Sequence, residues 1–279
     1  MRVHFCGVRG STPATGHAFE RYGGATSCLA IAHDAAPTPS LLLDVGTGAV
    51  AASALFGDAA FVGAIVLTHL HWDHTQGLPF FRAANRHGAR TELFVPDQGD
   101  GQDAVELVER WLSPPSFPIG VDGLAGDWTF ELVAPSTFEA AGFAVAAIEV
   151  PHRGGRTYGL RVTDGRSTIA YIPDHCPTDL GEGPEGLGAY HAAALSLARD
   201  ADVLVHDASL TAAEVPARSR FGHAAADYAV GLGVAAGARS VVCFHHAPDR
   251  DDDALDKMWA ALGAAPEVLF AREGQVLVL

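Results

Sequence analysis

The residues best suited to chemistry lie in one short stretch, Ile65 to Phe81, IVLTHLHWDHTQGLPFF. His69, His71, Asp73 and His74 fall within six positions of it. Imidazole and carboxylate side chains are ligands for zinc, manganese or iron. Ligand-type residues set this closely do not all converge on one small ion, so the spacing predicts two. Paired divalent ions suit hydrolysis of a phosphoryl or acyl bond. A polar loop with chance histidines is the bland alternative. Such loops rarely spend four ligand-type residues in six directly after a buried strand.

Strands and turns must hold these residues in place. Ile65-Val66-Leu67 is a continuous apolar run and reads as a buried strand. Histidines at i and i+2 past its end point the same way, and the following turn lets Asp73 and His74 face a second point. Further strands are predicted at Val3 to Cys6, Cys28 to Ala32, Leu41 to Leu43 and Leu93 to Val95. Phe130 to Val133, Ala144 to Val150, Tyr158 to Val162 and Thr168 to Ile172 read as successive strands of a second sheet. Val203 to Val205, Val241 to Phe244, Val268 to Phe270 and Gln275 to Val278 complete the set. Helical spacing is read in Ala49 to Phe56, Leu78 to His87, Gln102 to Leu112, Tyr190 to Arg199 and Asp251 to Leu262, and a helix opens after Phe221. Phe80 and Phe81 read as core. Trp111 and Phe117 read as core first and as a pocket wall second. The loop GVRGSTPA (Gly7 to Ala14) is rich in backbone N–H groups and reads equally as an anion-holding loop or as a plain turn.

Composition narrows the class. The 279 residues carry 48% hydrophobic side chains and 31 glycines, as a folded α/β protein does. No linker or change of composition divides the chain, so a single domain over residues 1–279 is expected. No apolar window is long enough to span a membrane, and the N-terminus lacks the apolar core of a secretory signal. Cys6, Cys28, Cys176 and Cys243 have no CxxC spacing, which predicts reduced thiols and a cytoplasmic location. The formal net charge is −15, with 33 acids against 18 bases and no basic arm. Such a surface repels a nucleic-acid backbone. The expected partner is therefore a small-molecule substrate, with a homodimer left open; tRNA and other large nucleic acids are not expected, nor is a membrane.

HxHxDH after an apolar strand resembles the signature of the metallo-β-lactamase superfamily, and the resemblance covers nearly the whole chain. It implies an α/β fold, the αββα sandwich of two mixed sheets flanked by helices, with metals in a cleft at one edge. An internal pseudo-duplication of that fold would explain the two strand-rich halves. The resemblance further implies that His69, His71 and His152 hold one metal. Asp73, His74 and His245 would hold the other, with Asp174 between them. His152 stands just past the strand ending at Val150, and Asp174 ends the strand in YIPDH. Class B β-lactamases place Cys at the comparable point, so Asp174 argues against that activity. His245 follows the strand ending at Phe244, with His246 as the alternate. Asp44 in LLLDVGTG resembles the D-x-G element, whose Asp supports the metal loop through hydrogen bonds.

HDAS (His206 to Ser209) and the later Gly222-His223 resemble the HEAT and GHST elements of the tRNA 3′-processing endonucleases and their phosphodiesterase relatives. By that resemblance His223, buttressed by Asp207, transfers a proton at the cleft. Ala224 stands where those proteins carry Ser or Thr. The implied cofactors are two divalent ions, zinc first, with manganese or iron suiting the same ligands. The implied function is a dinuclear metal-dependent hydrolase, first a phosphodiesterase on a small, cyclic or related nucleotide. A carboxylic-ester, lactone or thioester hydrolase is the alternative, with Tyr190 or Tyr228 as candidates beside the oxyanion. A non-catalytic, metal-stabilised binding protein is the reading from another class.

Overall fold

The apolar runs become the central strands of two facing sheets. The computed structural model describes residues 1–262 and 267–279. In the first half lie β1 (Arg2–Gly7), β2 (Cys28–Ala32), β3 (Leu41–Leu43), β4 (Val62–Val66), β5 (Arg90–Pro96) and β6 (Asp127–Val133). In the second lie β7 (Ser136–Ala140), β8 (Phe143–Val150), β9 (Thr157–Thr163), β10 (Thr168–Ile172), β11 (Val203–Asp207), β12 (Ser240–Phe244) and β13 (Glu267–Phe270). The last strand, β14 (Val276–Val278), returns to pair with β1. Each sheet has seven strands, in the orders β14-β1-β2-β3-β4-β5-β6 and β13-β12-β11-β10-β9-β8-β7. From β1 to β6 the pairings run antiparallel twice and then parallel three times. From β8 to β13 the same succession recurs. The two strand-rich halves thus repeat one plan.

Alternation along the strands sets the layers. Leu41 and Leu43 point into the core between the sheets with Val66, Val145, Leu160, Tyr171 and Phe244. Leu42 points the other way, into the layer that holds Phe61, Phe81, Leu107 and Val108. On the far side, Leu197 and Leu232, from the helices Ala192–Ala198 and Ala226–Ala236, pack over Ile172 and Leu204. The order of layers is helix, sheet, sheet, helix, as the αββα sandwich requires.

Two local expectations are corrected, and one strand went unread. Phe130 to Val133 belongs to β6, which pairs with β5 in the first sheet and not with the second. Leu78 to His87 is no continuous helix: a single turn spans Leu78–Phe80 with Pro79 inside it, and Phe81 leaves helical geometry at ψ 86° to bury its ring against Phe56 and Phe61. Strand β7, STFEA, escaped the sequence reading because it is polar and mostly exposed at a sheet edge. All four cysteines are free and buried. Among the described residues no helix is long and apolar enough to cross a membrane.

Candidate metal centre

Strands β3, β4, β8, β10, β11 and β12 end on the same edge of the sandwich, and the chemistry-bearing residues sit at or just past those ends. Asp44 follows β3, His69 lies past β4, His152 past β8, Asp174 past β10, Asp207 ends β11 and His245 follows β12. In open α/β sheets the crevice outside the carboxyl ends of the strands is where ligands bind. Unusual backbone conformations also occur at this edge. Asp44 and His245 both hold positive φ, 57° and 58°, which costs non-glycine residues free energy and needs over-determined surroundings.

The surroundings of Asp44 are over-determined. Its carboxylate accepts from Thr68 N at 2.8 Å, from the Thr68 hydroxyl at 2.9 Å, from His74 Nδ1–H at 2.8 Å and from the Tyr171 hydroxyl at 2.9 Å. Asp44 therefore fixes the loop after β4 and the orientation of His74. The short helix Trp72–Thr75 then carries Asp73 and His74 back toward the strand ends. The loop GVRGST lies underneath: Ser11 N–H donates to Asp73 Oδ2 at 2.6 Å. Gly10 packs so close to His245 that a Cβ there would stand 2.2 Å from the imidazole.

The ligand-type atoms converge in overlapping groups, each with its members within 4.8 Å of one another. One is His69, His71 and His152; a second is Asp73, His74 and His245; a third joins His69 and His74 to Asp174. Asp174 thus lies between the first two. The residue types fit divalent ions, because ring nitrogens face ring nitrogens. His69 Nε2 and His71 Nδ1 are 3.0 Å apart, His152 Nε2 and His71 Nδ1 3.3 Å, and His74 Nε2 and His245 Nε2 3.4 Å. His74 and His152 already donate Nδ1–H outward, so their Nε2 atoms can only accept, and a cation satisfies such nitrogens. Outer contacts fix the rings, as around other metal-binding histidines: His152 Nδ1–H donates to Gly222 O at 2.8 Å.

Electrostatics agree with this fit. Burial, then His74, holds His69 well below the usual histidine range. Burial opposes charge on His74 too, but Asp73, Asp44 and Asp174 outweigh it and raise that imidazole. Burial likewise works against a charged Asp174, yet His245, His74 and His152 keep its carboxyl well below the usual range. Anionic carboxylates and ligand imidazoles are the forms that bind divalent metal, at the cost of releasing the His74 proton.

His246 does not join the cluster. It is buried, with Nε2–H donating to Ala271 O at 2.9 Å, and burial pushes it down to about 3. Register therefore favours His245. His175 is also turned away, toward His206 and His191.

His223 and Asp207 flank the centre. Asp207 is fully buried and accepts from Ser209 N, His175 N and Ala224 N, and Oδ2 also takes His223 Nδ1–H at 3.0 Å. Burial lowers His223, but Asp207 first, then Asp174 and Asp73, push it up to about 9 in the metal-free chain. With Nδ1 engaged, Nε2 is the atom left for a substrate. A cleft of about 680 Å³ opens over these groups, walled by Ser11, Trp72, Arg218, Phe221 and Pro248. Sequence reasoning missed Trp72, Arg218 and Phe221, although Trp72 stands inside the HxHxDH motif itself. Tyr190 and Tyr228 do not line this cleft; the Tyr228 hydroxyl donates to Ala189 O instead.

Residues 40–246 match the family described as Beta-lactamase superfamily domain. A curated relative, Ribonuclease Z of Natronomonas pharaonis, is 24% identical over 290 residues, covering 88% of this chain and 86% of that protein. Among solved structures, human tRNase Z, short form, superposes with a TM-score of 0.65 at 19% identity, over 100% of this chain and 99% of that one. A diphosphatase from the PhnP family superposes with a TM-score of 0.71 at 17% identity, over 100% and 97%. These relatives overturn the expectation that tRNA and other large nucleic acids are not partners for such a chain. Net charge misleads here because it says nothing of where on the molecule the charge lies. Asp44, Asp73, Asp174 and Asp207 are buried at the site, where divalent ions would offset them. The match over residues 40–246, the αββα layers and the two ligand clusters together support a dinuclear metal-dependent hydrolase, and the chain belongs to the metallo-β-lactamase superfamily.

Proposed function

We propose that the protein is a phosphodiesterase acting on a small nucleotide, cyclic or otherwise, or a related phosphodiester. The observation that carries this reading is the Asp207–His223 pair, its carboxylate buried and its imidazole lining the cleft, beside the ligand clusters. Cleaving a phosphodiester expels a poor alkoxide leaving group, which needs a proton. His69, His71 and His152 would hold one ion, Asp73, His74 and His245 the other, and Asp174 would bridge them. Zinc suits this imidazole-rich set best, with manganese or iron as substitutes. When bound, the ions supply Lewis acidity and an acidified water. Asp73, steadied by Ser11 N–H, accepts a hydrogen bond from the attacking water and orients it. His223, charged and aligned by Asp207, presents Nε2–H to the departing oxygen. Arg218 stands on the cleft wall, its guanidinium paired with Glu214 and Asp249. The four buried free thiols support a cytoplasmic setting.

The relatives named as ribonuclease Z favour a second reading, in which the phosphodiester belongs to an RNA chain. Zinc-loaded protein should be assayed side by side on a cyclic nucleotide, a short RNA, a phosphomonoester, a lactone and a thioester, each with a chelator control. Chelator-sensitive hydrolysis of the phosphodiesters is expected. Turnover confined to the lactone or thioester would contradict the proposal, and turnover of RNA alone would select the second reading.

A further inference from the structure

Beside the metal cleft lies a second cavity of about 300 Å³. Its walls include Trp72, Gln76, Phe80, Arg110, Trp111 and Phe117. Trp72 lines both spaces, so they adjoin across one indole. Trp72 is 75% exposed and Phe80 53%, so neither ring is serving as core. Phe80 and Phe117 meet edge to face, with ring centroids 5.9 Å apart. Polar groups are few: Thr75, whose hydroxyl donates to His71 O, Gln76, Ser116 and Arg110, the last paired with Asp100.

Aromatic faces with a few amide, hydroxyl and guanidinium groups form the kind of surface on which nucleobases stack, since every base has a π-face. Apolar walls with sparse polar groups are also the ordinary composition of a small-molecule pocket. Trp72 is flanked in sequence by His71 and Asp73, each in a ligand cluster. A phosphate at the centre is therefore separated from this cavity by a single side chain. We infer that the cavity is a nucleobase subsite: the base of a nucleotide whose phosphate lies at the metal centre turns past Trp72 and stacks among Trp72, Phe80 and Phe117. The placement of the phosphate rests on the phosphodiesterase reading.

The test is a calorimetric titration of zinc-loaded protein with AMP, ribose 5-phosphate and phenyl phosphate. AMP should bind roughly 5- to 150-fold tighter than ribose 5-phosphate, the equivalent of one base stacked on an aromatic side chain. That advantage should collapse in Trp72→Ala and in Phe80→Ala. Both side chains are exposed, so folding is not at risk, and Phe80→Ala leaves the metal loop untouched. Equal binding of AMP and ribose 5-phosphate would overturn the inference. So would an AMP preference that survives both substitutions, or phenyl phosphate binding as tightly as AMP. Hydrolysis of adenosine 2′,3′-cyclic phosphate and of the matching methyl riboside cyclic phosphate separates the two levels. If neither these nor the cyclic nucleotide and short RNA of the side-by-side assay are turned over while the AMP preference and its loss on substitution persist, the phosphodiesterase reading fails and the base subsite stands.

Discussion

The backbone N–H of Ser11 donates a 2.6 Å hydrogen bond to Asp73 Oδ2, tying the loop after the first strand to the metal loop 62 residues on. One residue earlier, Gly10 packs against the His245 ring, leaving no room for a Cβ. The GVRGST loop therefore supports a side chain of the site, through one N–H to the Asp73 carboxylate. It sets the positions of two residues from the same ligand cluster, Asp73 and His245.

Gly10→Ala tests that dependence. The added methyl would stand 2.2 Å from His245 Cε1 and Nδ1, so the ring must move. Affinity for one of the two ions should fall by about 10–100-fold, as it does when outer supports of metal ligands are removed. Competition with a chelating dye should show one weakened and one normal site. Two unaffected sites would show that the loop is a plain turn.

Asp44→Asn tests the other support. The amide replaces one acceptor oxygen with a donor that faces Thr68, His74 or Tyr171. Leaving a buried polar group unsatisfied costs about 1–3 kcal/mol, so the melting temperature should fall as well as metal affinity. A variant with normal melting and normal metal binding would remove Asp44 from the account.

His223→Ala separates a proton donor from a ligand. Both metals and the fold should remain, and the rate on a poor leaving group should fall by roughly 10²–10⁴-fold. The loss should shrink for a nitrophenolate leaving group, which departs without a proton. Asp207→Asn should show a milder form of the same pattern, because Asp207 only orients and charges the imidazole. Loss of metal in His223→Ala would make His223 a ligand, and it does fall within ligand distance of Asp174 and His245. Wild-type rates on both leaving groups would leave it without a catalytic part.

The sequence showed the central strands well because buried strands write themselves as apolar runs. Cys28–Ala32, Leu41–Leu43 and Thr168–Ile172 have the expected bounds. It showed the cluster because HxHxDH packs four ligand types into one turn. The structure then brings His152, Asp174 and His245 to the same edge from three other strand ends. Sheet membership was less legible: nothing local in DWTFELV says that β6 pairs with β5 and not with β8. The polar edge strand β7 gave no apolar signal. Pro79 and the buried Phe81 broke a segment whose spacing looked helical. Trp72 and Phe221 went unread because exposed aromatics beside a cleft carry no periodicity. Charge failed as a guide to partners, since a net sum says nothing of how charge is distributed over the molecule.

Metal stoichiometry tests the central claim most directly. Protein purified without chelator should contain close to two divalent ions per chain by elemental analysis. Asp73→Ala should retain about one, since His69, His71 and His152 still form a group without it. Asp174→Ala should weaken both, because Asp174 lies between the groups. A single tightly bound ion in the native protein, retained unchanged by Asp73→Ala, would contradict the dinuclear centre.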